Sequence, residues 1–197
     1  MPGLSLWLSP PPESSLYRAL QDLITDLAGS VPAKDAPVFY PHITITSNIP
    51  IECDADEVVA FAASHWAADA LATVTIMDFG PAFFKKLFLR IRKTPALTQL
   101  ARECREKYVY GLATAEEGDP ADQAAVWAQD EFDPHLSLLY TNSWPFSDEQ
   151  KAEFGAKVQT VLETHSTEWT GGLLTLVPTY RSVDEWKPLA SQLVGSE

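Results

Sequence analysis

Pro41-His42-Ile43-Thr44-Ile45 and Pro134-His135-Leu136-Ser137-Leu138 are two copies of one pattern: proline, histidine, apolar, hydroxyl, apolar. Such alternation is a strand signal, because successive side chains on a strand point to opposite faces. In each copy the histidine and the hydroxyl two residues on share one face. The apolar residues share the other. A proline suits the first residue of a strand, where no ladder donor is needed. A lone histidine at a strand start is more often structural than catalytic. Two matching copies, which use two of only four histidines in the chain, point instead to one site with two-fold pseudosymmetry. Two imidazoles and two hydroxyls suit in-line attack on phosphorus. One imidazole takes a proton from water, the other gives one to the leaving oxygen, and the hydroxyls hold the non-bridging oxygens.

Outward from these strands the elements follow in turn. Gly3 to Leu8 reads as a first strand containing Trp7, broken by Pro10-Pro11-Pro12. Ser14 or Ser15 caps a helix to about Gly29, with Leu16, Leu20, Leu23, Ile24 and Leu27 on one face. Val38 to Ile49 holds the first motif. Asp54 or Asp56 caps a helix over Glu57 to Leu71, and Ala72 to Phe79 is a strand ending at the Gly80-Pro81 turn. Ala82 to Lys93 reads as a strand with five of the fourteen basic residues. Period two puts Phe84, Lys86, Phe88, Arg90 and Arg92 on one face, either lining a cleft or marking a solvated edge. Lys85 falls on the other, core face. Pro95 opens a helix to about Tyr108. Gly111 to Gln129 reads as a long surface loop with helical character at Ala121 to Ala128, anchored by Trp127. Phe132 to Tyr140 holds the second motif. Ser147 caps a helix to about Thr164. Trp169 to Val177 is a strand that Gly171-Gly172 can bend. The tail returns a short element through Trp186. His65 and His165 read as ordinary helix and helix-end residues. The class is α+β, with helices outside antiparallel sheets.

The bulk numbers exclude several functions. The net charge is −13, which disfavours a grip on long nucleic acid, where phosphate neutralisation supplies most of the affinity. No apolar run reaches the roughly 18 residues needed to cross a bilayer, and no signal peptide is recognised at the start. An intracellular, cytoplasmic protein is expected. Cys53 and Cys104 lack metal spacing and read as buried or half-buried thiols; nothing in the sequence supports a disulfide between them or excludes one, and its absence would fit a reducing compartment. His42 and His135, with Asp133 the sole acid beside a motif, make a poor metal site. No metal and no cofactor are expected.

The chain resembles the two-histidine phosphoesterases, and within them the cyclic phosphodiesterase branch of plants and fungi. The resemblance is carried by Leu6-Trp7-Leu8, Pro41-His42-Ile43-Thr44, Phe83-Phe84, Thr94-Pro95-Ala96-Leu97 and Pro134-His135-Leu136-Ser137-Leu138-Leu139-Tyr140. It implies a single domain over residues 1–197, in two pseudosymmetric lobes whose motif strands meet in a central cleft. It implies hydrolysis of a ribose cyclic phosphate by His42, His135, Thr44 and Ser137, with His135 as base and His42 as acid. Substrates would be nucleoside 2′,3′-cyclic phosphate, opened to the 2′-phosphate, or ADP-ribose 1″,2″-cyclic phosphate, a by-product of tRNA splicing, opened to the 1″-phosphate. Trp7 and Tyr140 would border the substrate. Tyr140 lies an odd three positions after Ser137, so it needs a bulge or the strand's end to reach the same face. A small cyclic phosphate is the expected partner, with no long nucleic acid, no membrane and a monomeric chain. Two other readings remain: processing of RNA ends or 2′–5′ linkages, aided by a basic groove over Lys86 to Lys93, and a nucleotide-binding module without turnover.

Overall fold

The two motif strands lie side by side and antiparallel at the centre of one eight-stranded sheet, in the computed structural model of residues 3–32, 36–68, 70–113 and 118–195. The strands are β1 (Leu4–Ser9), β2 (Ile43–Ile49), β3 (Leu71–Phe79), β4 (Leu87–Ile91), β5 (His135–Leu139), β6 (Glu168–Thr170), β7 (Gly172–Val177) and β8 (Ala190–Val194). The helices are α1 (Ser15–Gly29), α2 (Ala55–Ser64), α3 (Pro95–Arg105), α4 (Pro120–Asp130) and α5 (Asp148–Thr164). The sheet order is β6-β3-β4-β5-β2-β1-β7-β8, and every pairing is antiparallel.

This order has an internal two-fold logic. Reading outward from the centre, one half runs β2-β1-β7-β8 and the other β5-β4-β3-β6. The halves join at Ile43 and Leu136, both fully buried. The sheet must also curl. β6 is one end of the order and β7 the seventh strand, yet only Gly171 separates Thr170 from Gly172. A single residue spans only about 3.3–3.6 Å of extended chain, so the two margins of the sheet come together there. The expected bend at Gly171-Gly172 is this crossing. Gly172 has φ +138°, and a Cβ on it would lie 2.1 Å from the Ser9 carbonyl oxygen, so no side chain fits.

Local chemistry explains the helices. Ser14 accepts from the Tyr17 N–H, Asp54 from Glu57, Thr94 from Leu97 and Ser147 from Gln150, which completes a capping box. Pro95 and Pro120 sit in the first turns of α3 and α4. Two helices, α1 and α3, cross over between halves, and α2 stays on its own. α1 packs against β5, and Lys157 of α5 reaches Asp26 of α1 at 2.9 Å, while α3 packs against β2 and α2 against β7 and β8.

Three expectations change. The helix expected to run to Leu71 stops at Ser64. The Ser64 hydroxyl donates to the Phe61 carbonyl, and the His65 ring sits 2.8 Å from the same oxygen, so side chains capture the last carbonyls. The strand expected over Ala82 to Lys93 opens with a 3₁₀ turn at Phe83–Lys85, which breaks period two, and only Leu87–Ile91 is strand. That strand lies between β3 and β5 and is no edge. In the segment expected as a loop over Gly111 to Gln129, the helical character expected at Ala121 to Ala128 is α4, capped by Asp119 and longer at both ends, while residues 114–117 lie outside the described residues. Among the described residues no helix is long and apolar enough to cross a membrane. Cys53 and Cys104 are free.

The join between the halves carries the site, so it should be costly to loosen. Leu136→Ala is expected to lose about 2–5 kcal/mol of stability, read as a lowered urea midpoint at unchanged slope.

Candidate active site

Side chains from both halves line one cavity of about 290 Å³: Trp7, His42, Thr44, Ser47, Phe84, Lys85, His135, Ser137, Tyr140 and Trp186. All six residues singled out from the sequence are therefore brought together. His65 and His165 lie elsewhere, His65 as the C-cap of α2 and His165 as the C-cap of α5.

The two histidines are held in the same way. His42 Nδ1 lies 2.6 Å from the Tyr40 carbonyl oxygen, and His135 Nδ1 lies 2.8 Å from that of Asp133. A carbonyl can only accept, so each Nδ1 carries the hydrogen. In the neutral ring each Nε2 is then the acceptor nitrogen. In both copies the acceptor is the carbonyl two residues before the histidine, a short loop-back that the motif proline accommodates.

The neighbours repeat this symmetry. Trp7 is the register partner of Thr44, as Phe88 is of Ser137. Cross-strand partners and their diagonals lie within reach of aromatic side chains. Trp7 thus stacks flat on His42, centroids 3.6 Å apart and planes 11° apart, while Phe88 meets His135 edge-on at 5.7 Å. Tyr140 lies just past the end of β5, where strand alternation no longer binds it. Its hydroxyl stands 3.5 Å from His42 Nε2, and its ring stacks on Phe39 at 3.7 Å. The Ser137 hydroxyl donates to the Phe84 carbonyl at 2.7 Å. To serve a ligand it must turn from that acceptor.

The two halves differ in charge. His42 sits in an aromatic box of Trp7, Phe39 and Tyr140. Burial there drives its pKa down to about 3, against the pull of the Tyr40 carbonyl and with a small push from His135. Burial lowers His135 as well. The Asp133 carbonyl opposes that, and Lys85 adds to it. Both rings are thereby pushed toward the neutral form. Burial raises the Tyr140 phenol, which the Ser137 hydroxyl offsets only in part, so it stays protonated.

Sequence reasoning missed Ser47 and Trp186 as lining residues and misassigned the lysines, while Phe84 lines the cavity, one of the two readings given for its face. Lys86, expected on the cleft face, is buried with its ammonium on the Pro81 carbonyl and over the Trp144 ring. Lys85, expected on the core face, lines the cavity and bonds Asp133 at 2.5 Å. The 3₁₀ turn is the cause, since it rotates both side chains off strand alternation. Arg90 is turned aside to Asp78 at 2.8 Å, and Lys93 to the Gln129 carbonyl at 2.6 Å. Trp186 arrives from the β7–β8 connection, held by its indole N–H on the Arg181 carbonyl, and nothing local marks it. Among the described residues no group of three or more His, Cys, Asp or Glu side chains is placed to hold a metal ion.

Comparisons with known proteins agree with this geometry. The model of the family described as cyclic phosphodiesterase-like protein matches residues 1–194. A Yarrowia lipolytica protein named 2′,3′-cyclic-nucleotide 3′-phosphodiesterase is 33% identical over 215 residues, covering 95% of this chain and 97% of that protein. A Phaeosphaeria nodorum protein of the same name is 32% identical over 200 residues, covering 98% and 99%. Among solved structures, E. coli LigT complexed with NADP+ superposes with a TM-score of 0.52 at 13% identity, over 99% of each chain. E. coli LigT in apo form gives 0.52 at 16% identity, over 99% and 98%. At these identities the likeness to LigT is one of fold. The paired histidine strands, the curled antiparallel sheet and the match over nearly the whole chain together make this chain a member of the cyclic phosphodiesterase-like family.

Proposed function

We propose that the chain is one enzyme domain that hydrolyses ribose cyclic phosphates: nucleoside 2′,3′-cyclic phosphate to the 2′-phosphate, ADP-ribose 1″,2″-cyclic phosphate to the 1″-phosphate, or both. The observation that carries this reading is the matched pair of imidazoles, each with Nδ1–H on a carbonyl two residues back and Nε2 left for one cavity that also holds two hydroxyls. The names of the fungal relatives support the nucleotide substrate.

Water attacks phosphorus in line with one ring oxygen, and its proton passes to Nε2 of one histidine. The phosphorus–ring oxygen bond breaks, and that oxygen takes a proton from Nε2 of the other. The ring is strained, so the leaving alkoxide needs only a well-placed acid. Thr44 and Ser137 hydroxyls donate to the non-bridging oxygens. The resemblance gives His135 as base and His42 as acid. His135 is neutral as a base requires. Burial pushes His42 toward the neutral form, so to act as acid it must take up a proton at Nε2 as the ester binds, and the ester's anionic oxygens favour that imidazolium. Trp7 acts through His42 by stacking on it, and Tyr140 lies against the same Nε2.

The test is a panel of cyclic phosphates in excess chelator, with products read by phosphorus NMR. The five-membered rings should turn over, and 3′,5′-cyclic nucleotides should not. His42→Ala and His135→Ala should each lose about 10²- to 10⁴-fold in kcat while keeping the fold. An inert wild type, or turnover only of 2′–5′-linked RNA, would overturn the reading.

The buried neutral ring has a consequence for stability. Unfolded, His42 binds a proton near its ordinary pKa of 6.5, while folded it does so only at about 3. Between these values the unfolded state holds more protons, so stability falls as pH falls, by up to about 1.4 kcal/mol per unit. His42→Asn, which does not titrate, should show a shallower loss of urea midpoint from pH 6.5 to 4 than the wild type.

A further inference from the structure

The cavity is nearly symmetric in its histidines and hydroxyls but not in its charge. Lys85 is the one lysine or arginine among its described lining residues. It stands on the His135 side, over the Phe88 ring at 4.7 Å. On the opposite side, Trp7 lies flat on His42. A chain of net charge −13 repels an anion at long range, so a fixed cation inside the cavity has a distinct role.

The ammonium is both pinned and unsaturated. Asp133 Oδ2 takes one of its three donors, at 2.5 Å. Asp133 is in turn braced by Arg90 Nη1 at 3.5 Å, and Arg90 is occupied by Asp78 through Nε and Nη2. Arg90 therefore serves as the brace while Lys85 faces the cavity. Its side chain is 26% exposed, enough to meet a ligand without moving.

We infer that Lys85 is a substrate-contacting residue that holds the phosphate anion, and that it sets the direction in which this pseudosymmetric site is read. A five-membered cyclic phosphate offers two nearly equivalent ring oxygens. A site with equivalent halves would accept it in either sense. With Lys85 on the His135 side, one non-bridging oxygen is drawn to Lys85 and Ser137, which leaves the other for Thr44 and the His42 imidazolium. The rest of the ester then lies toward the aromatic side, among Trp7, Tyr140 and Trp186. Opening the ring converts a monoanion into a monoester of greater charge, so Lys85 holds the product more tightly than the substrate.

This inference rests on the proposed function for its substrate, but one arm of its test does not require turnover. Adenosine 2′-phosphate is titrated calorimetrically into the wild type, Lys85→Met, Lys85→Arg and Asp133→Asn, with melting temperatures measured in parallel. Asp133→Asn keeps the backbone carbonyl that holds His135. Lys85→Met should weaken binding at least tenfold, Lys85→Arg should stay within threefold of wild type, and Asp133→Asn should bind as tightly or more tightly, because the ammonium gains a free donor. In the turnover arm, Lys85→Met should raise KM at least tenfold and yield a mixture of 2′- and 3′-phosphates from a nucleoside 2′,3′-cyclic phosphate. Unaltered binding in Lys85→Met, or equal weakening in Lys85→Met and Asp133→Asn, would reduce the pair to a structural brace and overturn the inference. Wild-type binding without turnover would instead count against the proposed function alone.

Discussion

The pairing of β2 with β5 is the constraint on which the rest depends. Two strands placed side by side and antiparallel, joined at Ile43 and Leu136, put two copies of one motif back to back. The side-chain period of two then acts on both at once. The apolar residues of each copy go to the core, and the histidine and hydroxyl of each go to the cavity. A slip of one residue in either strand would bury an imidazole in the core and expose an isoleucine or leucine to the cleft. The helices reinforce the join from outside. α1 covers β5 and α3 covers β2, so each motif strand is clamped by a helix that follows a strand of the other half.

On this frame the chemistry is set by two short bonds. A histidine whose Nδ1–H is spoken for by a backbone carbonyl presents one nitrogen in one direction. The same bond occurs at Tyr40 and at Asp133, so both rings share one tautomer. Burial then makes both neutral, by removing water from around the charged form. His42 pays the larger penalty because Trp7, Phe39 and Tyr140 enclose it. His135 keeps company with Lys85 and Asp133. One strand pattern thus yields two differently poised groups, and the difference comes from residues outside the motifs.

The duplicated motif, the cap at Ser147, the caps at Ser14 and Asp54 to within a residue or two, and the proline at the start of α3 were legible in the sequence, because each is local. Strand alternation, N-capping and the fixed φ of proline act within a few residues. From them follow the α+β class, the grouping of His42 with Thr44 and of His135 with Ser137, and the expectation that the two pairs share a site. The family resemblance supplied the two halves and their cleft, which local signals do not encode.

The tertiary structure alone decided what lies around those four residues. Trp186 enters the cavity from the β7–β8 connection, far from either motif, because β7 pairs with β1, whose Trp7 ring it meets at 5.5 Å. Lys85 and Lys86 trade places because a single 3₁₀ turn interrupts alternation, and alternation is only as good as the regularity of the strand beneath it. Tyr140 reaches His42 because β5 ends one residue earlier. A sequence determines which side of its own strand a residue faces. Which other strand it then faces, and how much water is left between them, is decided by long-range packing, and the charge state of both histidines follows from that packing.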